Sequence, residues 1–235
     1  MIKISRSGVE KSLNCKRCFF LEQKHKLRAP SLPFTLNIAV DNLCKNEFDH
    51  YREKQEPHPL FLQNNIDAVP FKHPKMNDWR NNFKGIHYVD SNDGYDFYGA
   101  VDDVWMKPDG ELIVSDVKTT AKKEFNWEKT FQEYQYPKSY IRQLEMYQWL
   151  FRKNGFKVSN TAYLVYYNGL RNEPMFNQQM KFDLHLIKLE CDDSWVEQAI
   201  LKACEILKNS DYPSGSLQCD VCQYLKKRWD VKQSI

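Results

Sequence analysis

VDDVWMKPDGELIVSDVKTT, residues 101–120, places an acid and a lysine, Asp116 and Lys118, on either side of a single valine at the end of an apolar run. Successive side chains of a strand point to opposite faces, so residues 116 and 118 share a face and Val117 occupies the other. Leu112, Ile113 and Val114 follow a Pro-Asp-Gly turn signal at 108–110, the pattern of a buried strand after a tight turn. YGAVDDVWM, just upstream, reads as the other arm of the hairpin and carries Asp102 and Asp103. Three carboxylates and a lysine are thus expected near one strand end. Taken alone, an Asp-x-Lys pair is most often a solvated ion pair at a sheet edge.

The rest of the chain bounds the possibilities. Its 235 residues, 42% of them hydrophobic, suffice for one large packed domain. Eight glycines and no biased tract argue against repeat and low-complexity architectures. Nothing reads as a membrane span, and the polar start MIKISRSGVEKSLNCKRCFF lacks the apolar core of a secretory signal, so a cytoplasmic, reducing setting is expected. There, seven cysteines are reduced thiols or metal ligands rather than disulfides. A net charge of +3 does not by itself announce a nucleic-acid binder, but basic residues gather at both ends, including Lys16, Arg17, Lys226, Lys227 and Arg228.

Apolar spacing predicts a helix over 36–52 whose packed face carries Ile38, Val40, Leu43, Phe48 and Tyr51. Prolines break up residues 55–84. GIHYVD, DFYGAVDDVWM and GELIVSDVKTT read as successive antiparallel strands, with turns at Asn92-Asp93-Gly94 and Asp109-Gly110. A helix is predicted over 137–155, strands at TAYLVYYNG and FDLHLIKLECD, and a closing helix from about 193 to 209. The expected fold class is α/β, a central mixed β-sheet flanked by helices.

Three motifs occur in order: Gly99-Ala100-Val101-Asp102, Asp116-Val117-Lys118 and Gln143-Leu144-Glu145-Met146-Tyr147. They fit the G-x-x-D, D/E-x-K and Q-x-x-x-Y signatures of the PD-(D/E)XK nuclease superfamily, which the chain resembles in its RecB-like exonuclease branch. The resemblance implies a restriction-endonuclease-like core spanning a single domain, residues 1–235. It also implies that Asp102, Asp116 and the carbonyl of Val117 ligate Mg²⁺ or Mn²⁺, while Lys118, Gln143 and Tyr147 complete the catalytic set. Hard oxygen ligands suit these ions. The first helix of such proteins often adds a ligand; of Glu47, Asp49, His50 and His58, Glu47 is chosen because it flanks the expected packed face. Asp103 should face the other way and take no part.

Cys15-x-x-Cys18 and Cys219-x-x-Cys222 place a thiol pair near each end, and two such pairs make four ligands for one metal site. Residues 11–30 and 210–229 would then form a cysteine-rich closure joining the N- and C-terminal segments. CRISPR-associated relatives in the branch carry a [4Fe-4S] cluster on one early and three late cysteines. The resemblance therefore implies a cluster here, whereas the two-and-two arrangement departs from it and keeps Zn²⁺ as the alternative. Phe19, Phe20 and Tyr224 are expected to shield the metal, and Cys44, Cys191 and Cys204 to be buried as small hydrophobes.

The resemblance implies a metal-dependent deoxyribonuclease hydrolysing phosphodiester bonds, an exonuclease on DNA ends or single strands with little sequence specificity. Lys16, Arg17, Lys122 and Lys123 are the candidate nucleic-acid contacts, and a nuclease/helicase or other DNA-processing complex is a possible setting. The alternatives are a non-catalytic nucleic-acid-binding or scaffold protein with a structural cysteine metal site, and a thiolate-zinc interaction module.

Overall fold

Leu112 to Thr120 forms the longest run of the apolar hairpin because the preceding turn can close: Gly110 adopts φ +78°, a left-handed value that costs glycine little, and its N–H bonds back to the Lys107 carbonyl. A computed structural model describes residues 1–31, 35–209 and 211–233; position 210, where the expected C-terminal closure begins, lies outside them. In chain order the elements are β1 (Ile2–Ser5), α1 (Arg6–Asn14), α2 (Lys16–His25), α3 (Thr35–Lys54), α4 (Pro59–Gln63), β2 (Val69–Pro70), α5 (Met76–Trp79), β3 (Ile86–Asp90), β4 (Tyr95–Gly99), β5 (Asp103–Met106) and β6 (Leu112–Thr120). They continue with α6 (Trp127–Glu133), α7 (Tyr136–Lys153), β7 (Thr161–Gly169), β8 (Phe182–Glu190), α8 (Val196–Lys208) and α9 (Asp220–Gln233).

The chain divides into two compact units. One comprises residues 1–33, 87–98 and 194–235; the other comprises 34–86 and 99–193. In the first, β1 runs parallel to β4 in the three-stranded order β1-β4-β3, and α1, α2 and α8 pack together. Ser5 caps α1 by accepting the Gly8 N–H at 3.1 Å.

The second unit is built on a mixed five-stranded sheet, β2-β5-β6-β7-β8, with β6 and β7 parallel and the other pairs antiparallel. Phe48 of α3 joins Leu60 and Phe61 of α4, Trp105 of β5, Ile113 of β6 and Val165 of β7 in a buried cluster, with Val117 packed against it. The odd-numbered residues of β6 therefore face α3 and α4. The even-numbered set, Val114, Asp116 and Lys118, faces the other way, toward α7.

Two expectations need correction. DFYGAVDDVWM is two strands in two sheets, broken at 100–102: the Val101 N–H bonds to the Trp79 carbonyl at 3.1 Å instead of joining a ladder. Gly85 makes that bend possible, because a Cβ there would sit 2.5 Å from the Gly99 carbonyl oxygen. Asp102 thus lies between strands rather than on one. The packed stripe of α3 is Val40, Cys44, Phe48 and Arg52, while Ile38 and Leu43 are exposed. Counting apolar residues misplaces the stripe because its last member is an arginine, buried by ion pairing. The elements before residue 35 and after 209 had no predicted counterpart.

Candidate active site and four-cysteine site

Asp116 is fully buried at the middle of β6 and accepts a hydrogen bond from Lys118 Nζ two residues on, as their shared face requires. The helix α7, started by Pro137 in its first turn, carries Gln143 and Tyr147 one turn apart on the face that meets this pair. Gln143 Nε2 donates to Asp116 Oδ1 at 2.7 Å and lies 3.2 Å from the Tyr147 hydroxyl, while its Oε1 accepts from Lys118 Nζ at 3.3 Å. The Tyr140 ring sits 4.5 Å from the same ammonium. Asp102 reaches the site from the break before β5, its Oδ2 accepting the Val117 N–H at 2.9 Å.

Burial is the main force on the Asp116 carboxyl and lifts its pKa to about 7; the Lys118 ammonium opposes the rise and the Asp102 carboxylate adds to it. Burial would lower Lys118, yet Asp116 and Asp102 outweigh it and hold the lysine above its ordinary value. A third carboxylate, Asp41 of α3, is raised by burial and by the Asp102 charge. Lys45 bridges it to the site, 2.7 Å from Asp41 Oδ2 and 3.7 Å from Asp102 Oδ1. The Asp102 charge adds to the rise of both Asp116 and Asp41, and hard oxygen donors that repel one another in this way are the kind a divalent cation binds.

The structure brings Asp102, Asp116, Lys118, Gln143 and Tyr147 together. Glu47 points elsewhere: its side chain is 53% exposed and its carboxylate lies 3.2 Å from His58 Nε2. Asp49 pairs with Arg52 at 2.9 Å and Arg80 at 2.7 Å, and His50 stacks edge-on with Tyr51. Asp103 faces away from Asp116, as expected, and accepts both Arg52 Nη2 (2.8 Å) and Arg80 Nη2 (2.5 Å). Sequence reasoning missed Asp41. Had the stripe of α3 been read as 40, 44 and 48, residues 41 and 45 would have flanked it as an acid-base pair at i, i+4.

Of the candidate nucleic-acid contacts, Lys122 donates to Thr130 Oγ1 at 2.7 Å and lies 4.7 Å over the Tyr134 ring, and Lys123 is exposed beside it. Tyr134, Tyr136 and Tyr140 form a ladder with ring centroids 5.4 and 5.5 Å apart. In the first unit Lys16 is exposed, whereas Arg17 is held by the Pro213 carbonyl at 3.1 Å and by the Tyr212 ring.

Cys15, Cys18, Cys219 and Cys222 bring their sulfurs within 4.8 Å of one another. Cys15 is the N-cap of α2, Cys18 lies in its first turn, and the second pair stands at the start of α9. The Ser216 N–H points at Cys15 Sγ, 3.4 Å away. Burial pushes the Cys15 thiol up, but that N–H and the neighbouring cysteines outweigh it and bring the group to about 7. Phe19 and Phe20 are buried, whereas Tyr224 is 64% exposed. Cys44, Cys191 and Cys204 are buried single thiols.

Among solved structures, a candidate exonuclease from Eubacterium rectale is 15% identical, with 94% of this chain and 87% of that one covered and a TM-score of 0.48. An alkaline exonuclease from Laribacter hongkongensis is 12% identical, covering 88% and 86%, with a TM-score of 0.41. No curated protein matches the chain. The family model of the PD-(D/E)XK nuclease superfamily matches residues 37–226, a span that contains all three motifs and the Asp116–Lys118–Gln143 constellation. The chain belongs to that superfamily.

Proposed function

We propose that the protein is a divalent-metal-dependent deoxyribonuclease that hydrolyses phosphodiester bonds at DNA ends or in single strands, with little sequence preference. The observation that carries this reading is the convergence of Asp102, Asp116, Lys118 and Gln143 on one face of β6. Asp102, Asp116 and the Val117 carbonyl are the ligand set, with Asp41 in place of Glu47 as the contribution of α3. When bound, Mg²⁺ or Mn²⁺ supplies Lewis-acid charge at the scissile phosphate and acidifies a water. Lys118, oriented by Asp116 and Gln143, meets the negative charge that grows on the phosphate as the water oxygen bonds to phosphorus. The phosphorus–oxygen bond to the leaving sugar then breaks and the sugar oxygen takes up a proton. Tyr147 holds Gln143 in place.

Lys122 and the exposed Tyr134 and Tyr136 offer a cation and aromatic faces, the chemistry by which unpaired bases and backbone are held without sequence readout. Lys123 adds positive charge beside them, and Lys16 is a second candidate contact. The seven free thiols suit a reducing, cytoplasmic setting. No described helix is long and apolar enough to cross a membrane.

The test is release of labelled nucleotides from single- and double-stranded DNA with Mn²⁺ or Mg²⁺, comparing the wild type with Asp116→Ala and Lys118→Ala at matched folding and metal content. Metal-dependent cutting lost in both variants supports the reading. Folded wild-type protein that binds DNA and never cuts it would instead make the chain a non-catalytic nucleic-acid-binding protein.

A further inference from the structure

The four cysteines form a second centre, remote in chemistry from the carboxylate set, and the spacing of their sulfurs discriminates between metals. Cys18 Sγ lies 3.5 Å from Cys219 Sγ and 3.7 Å from Cys222 Sγ, and Cys15 Sγ lies 3.6 Å from Cys222 Sγ. All four fall within 4.8 Å of one another. One tetrahedral ion with metal–sulfur bonds of about 2.3 Å sets its ligand sulfurs about 3.8 Å apart. In a four-iron cubane each thiolate binds its own iron at a separate corner, which spreads the sulfurs to about 6 Å. The three separations of 3.5–3.7 Å agree with the first figure, and with all four sulfurs within 4.8 Å no pair reaches the second.

The surrounding chain holds the sulfurs close. Cys15 and Cys18 are fixed three residues apart at the start of α2, and Cys219 and Cys222 repeat that arrangement at the start of α9. The turn between them leaves no slack: a Cβ on Gly215 would stand 2.9 Å from Cys222 Sγ, and the Ser216 N–H already points at Cys15 Sγ. Opening the set by about 2 Å, as a cubane requires, would push Cys222 into that backbone or draw one helix start away from the other.

We infer that Cys15, Cys18, Cys219 and Cys222 hold a single tetrahedral Zn²⁺ and not the [4Fe-4S] cluster that the resemblance implied. The inference rests on the thiol geometry and not on the nuclease reading, so metal content decides it whatever the cutting assay returns.

The experiment is metal analysis and visible spectroscopy of the full chain purified without oxygen from cells supplied with both iron and zinc. The expected protein is colourless, carries about one zinc and negligible iron per chain, and shows a single shell of zinc–sulfur distances near 2.3 Å by X-ray absorption. Exchange with Co²⁺ should give the intense visible bands of a tetrahedral thiolate site, and Cys18→Ser should weaken them in the folded protein. About four irons per chain with the broad brown absorption of a cluster would overturn the inference, and so would one iron per chain in place of zinc.

Discussion

Asp103 is buried between Arg52 and Arg80, whereas its neighbour Asp102 keeps 23% of its side chain open beside Asp116. Adjacent aspartates therefore differ in what their loss would do. Asp102→Asn is expected to lower cutting by about a hundredfold or more with little change in melting temperature. Asp103→Asn should instead destabilise the fold by about 1–3 kcal/mol, because two buried guanidinium groups are left with only the more exposed Asp49 as counter-charge. Parallel melts and cutting assays on the two variants check both halves; a catalytic defect in a stable Asp103→Asn would reverse the assignment. The helix carboxylates make a similar contrast. Asp41→Asn should raise the Mn²⁺ concentration for half-maximal cutting by about tenfold or more, while Glu47→Gln leaves it unchanged. Equal responses from both would remove Asp41 from the ligand set.

At the scale of elements, strands β6 and β7 and helices α7 and α8 were legible because their apolar periods run uninterrupted and end on turn residues. The face shared by Asp116 and Lys118 followed from strand geometry alone. What escaped was decided by tertiary contact: the break at 100–102 depends on the Trp79 carbonyl, and the α3 stripe ends in an arginine buried by Asp103 of β5 and the Phe71 carbonyl after β2. The cap of α4 has its own consequence. His58 Nδ1 accepts the Leu60 N–H at 3.1 Å, so the ring must be neutral on that side, and burial holds His58 below its ordinary pKa of 6.5 against the pull of Glu47. A depressed histidine pKa adds stability that is present above 6.5 and is lost as pH falls through the folded-state value. His58→Asn keeps a capping acceptor without the titration, so it should lose less stability than the wild type between about pH 7.5 and about pH 5.5. Identical acid slopes in thermal melts would contradict this. Gly85→Ala should destabilise by about 2 kcal/mol or more, since it adds left-handed strain to a clash with the Gly99 carbonyl.

At the scale of the molecule, the carboxylate site lies wholly within the continuous stretches 34–86 and 99–193, while the thiol site gathers its ligands from two distant segments of the other unit. The thiol site and the carboxylate site are thus built from different parts of the chain. Stripping the thiolate ion should expose residues 1–31 and 194–233 to limited proteolysis before any cut appears within 101–190, a sequence that mass spectrometry of the fragments would read directly. First cleavage inside 101–190 would show that the ion supports the sheet as well.

Cys15 and Cys222 stand 207 positions apart. At a synthesis rate of about 5–20 residues per second, the first thiol pair waits about ten to forty seconds for the second. Throughout that interval the nascent chain carries two unpaired ligands of the site, open to any soft cation that can settle for two sulfurs. The centre can close only after Cys222 has left the ribosome, so a product that stops before residue 219 carries an open half-site, a lasting chemical mark by which such chains differ from those that pass it.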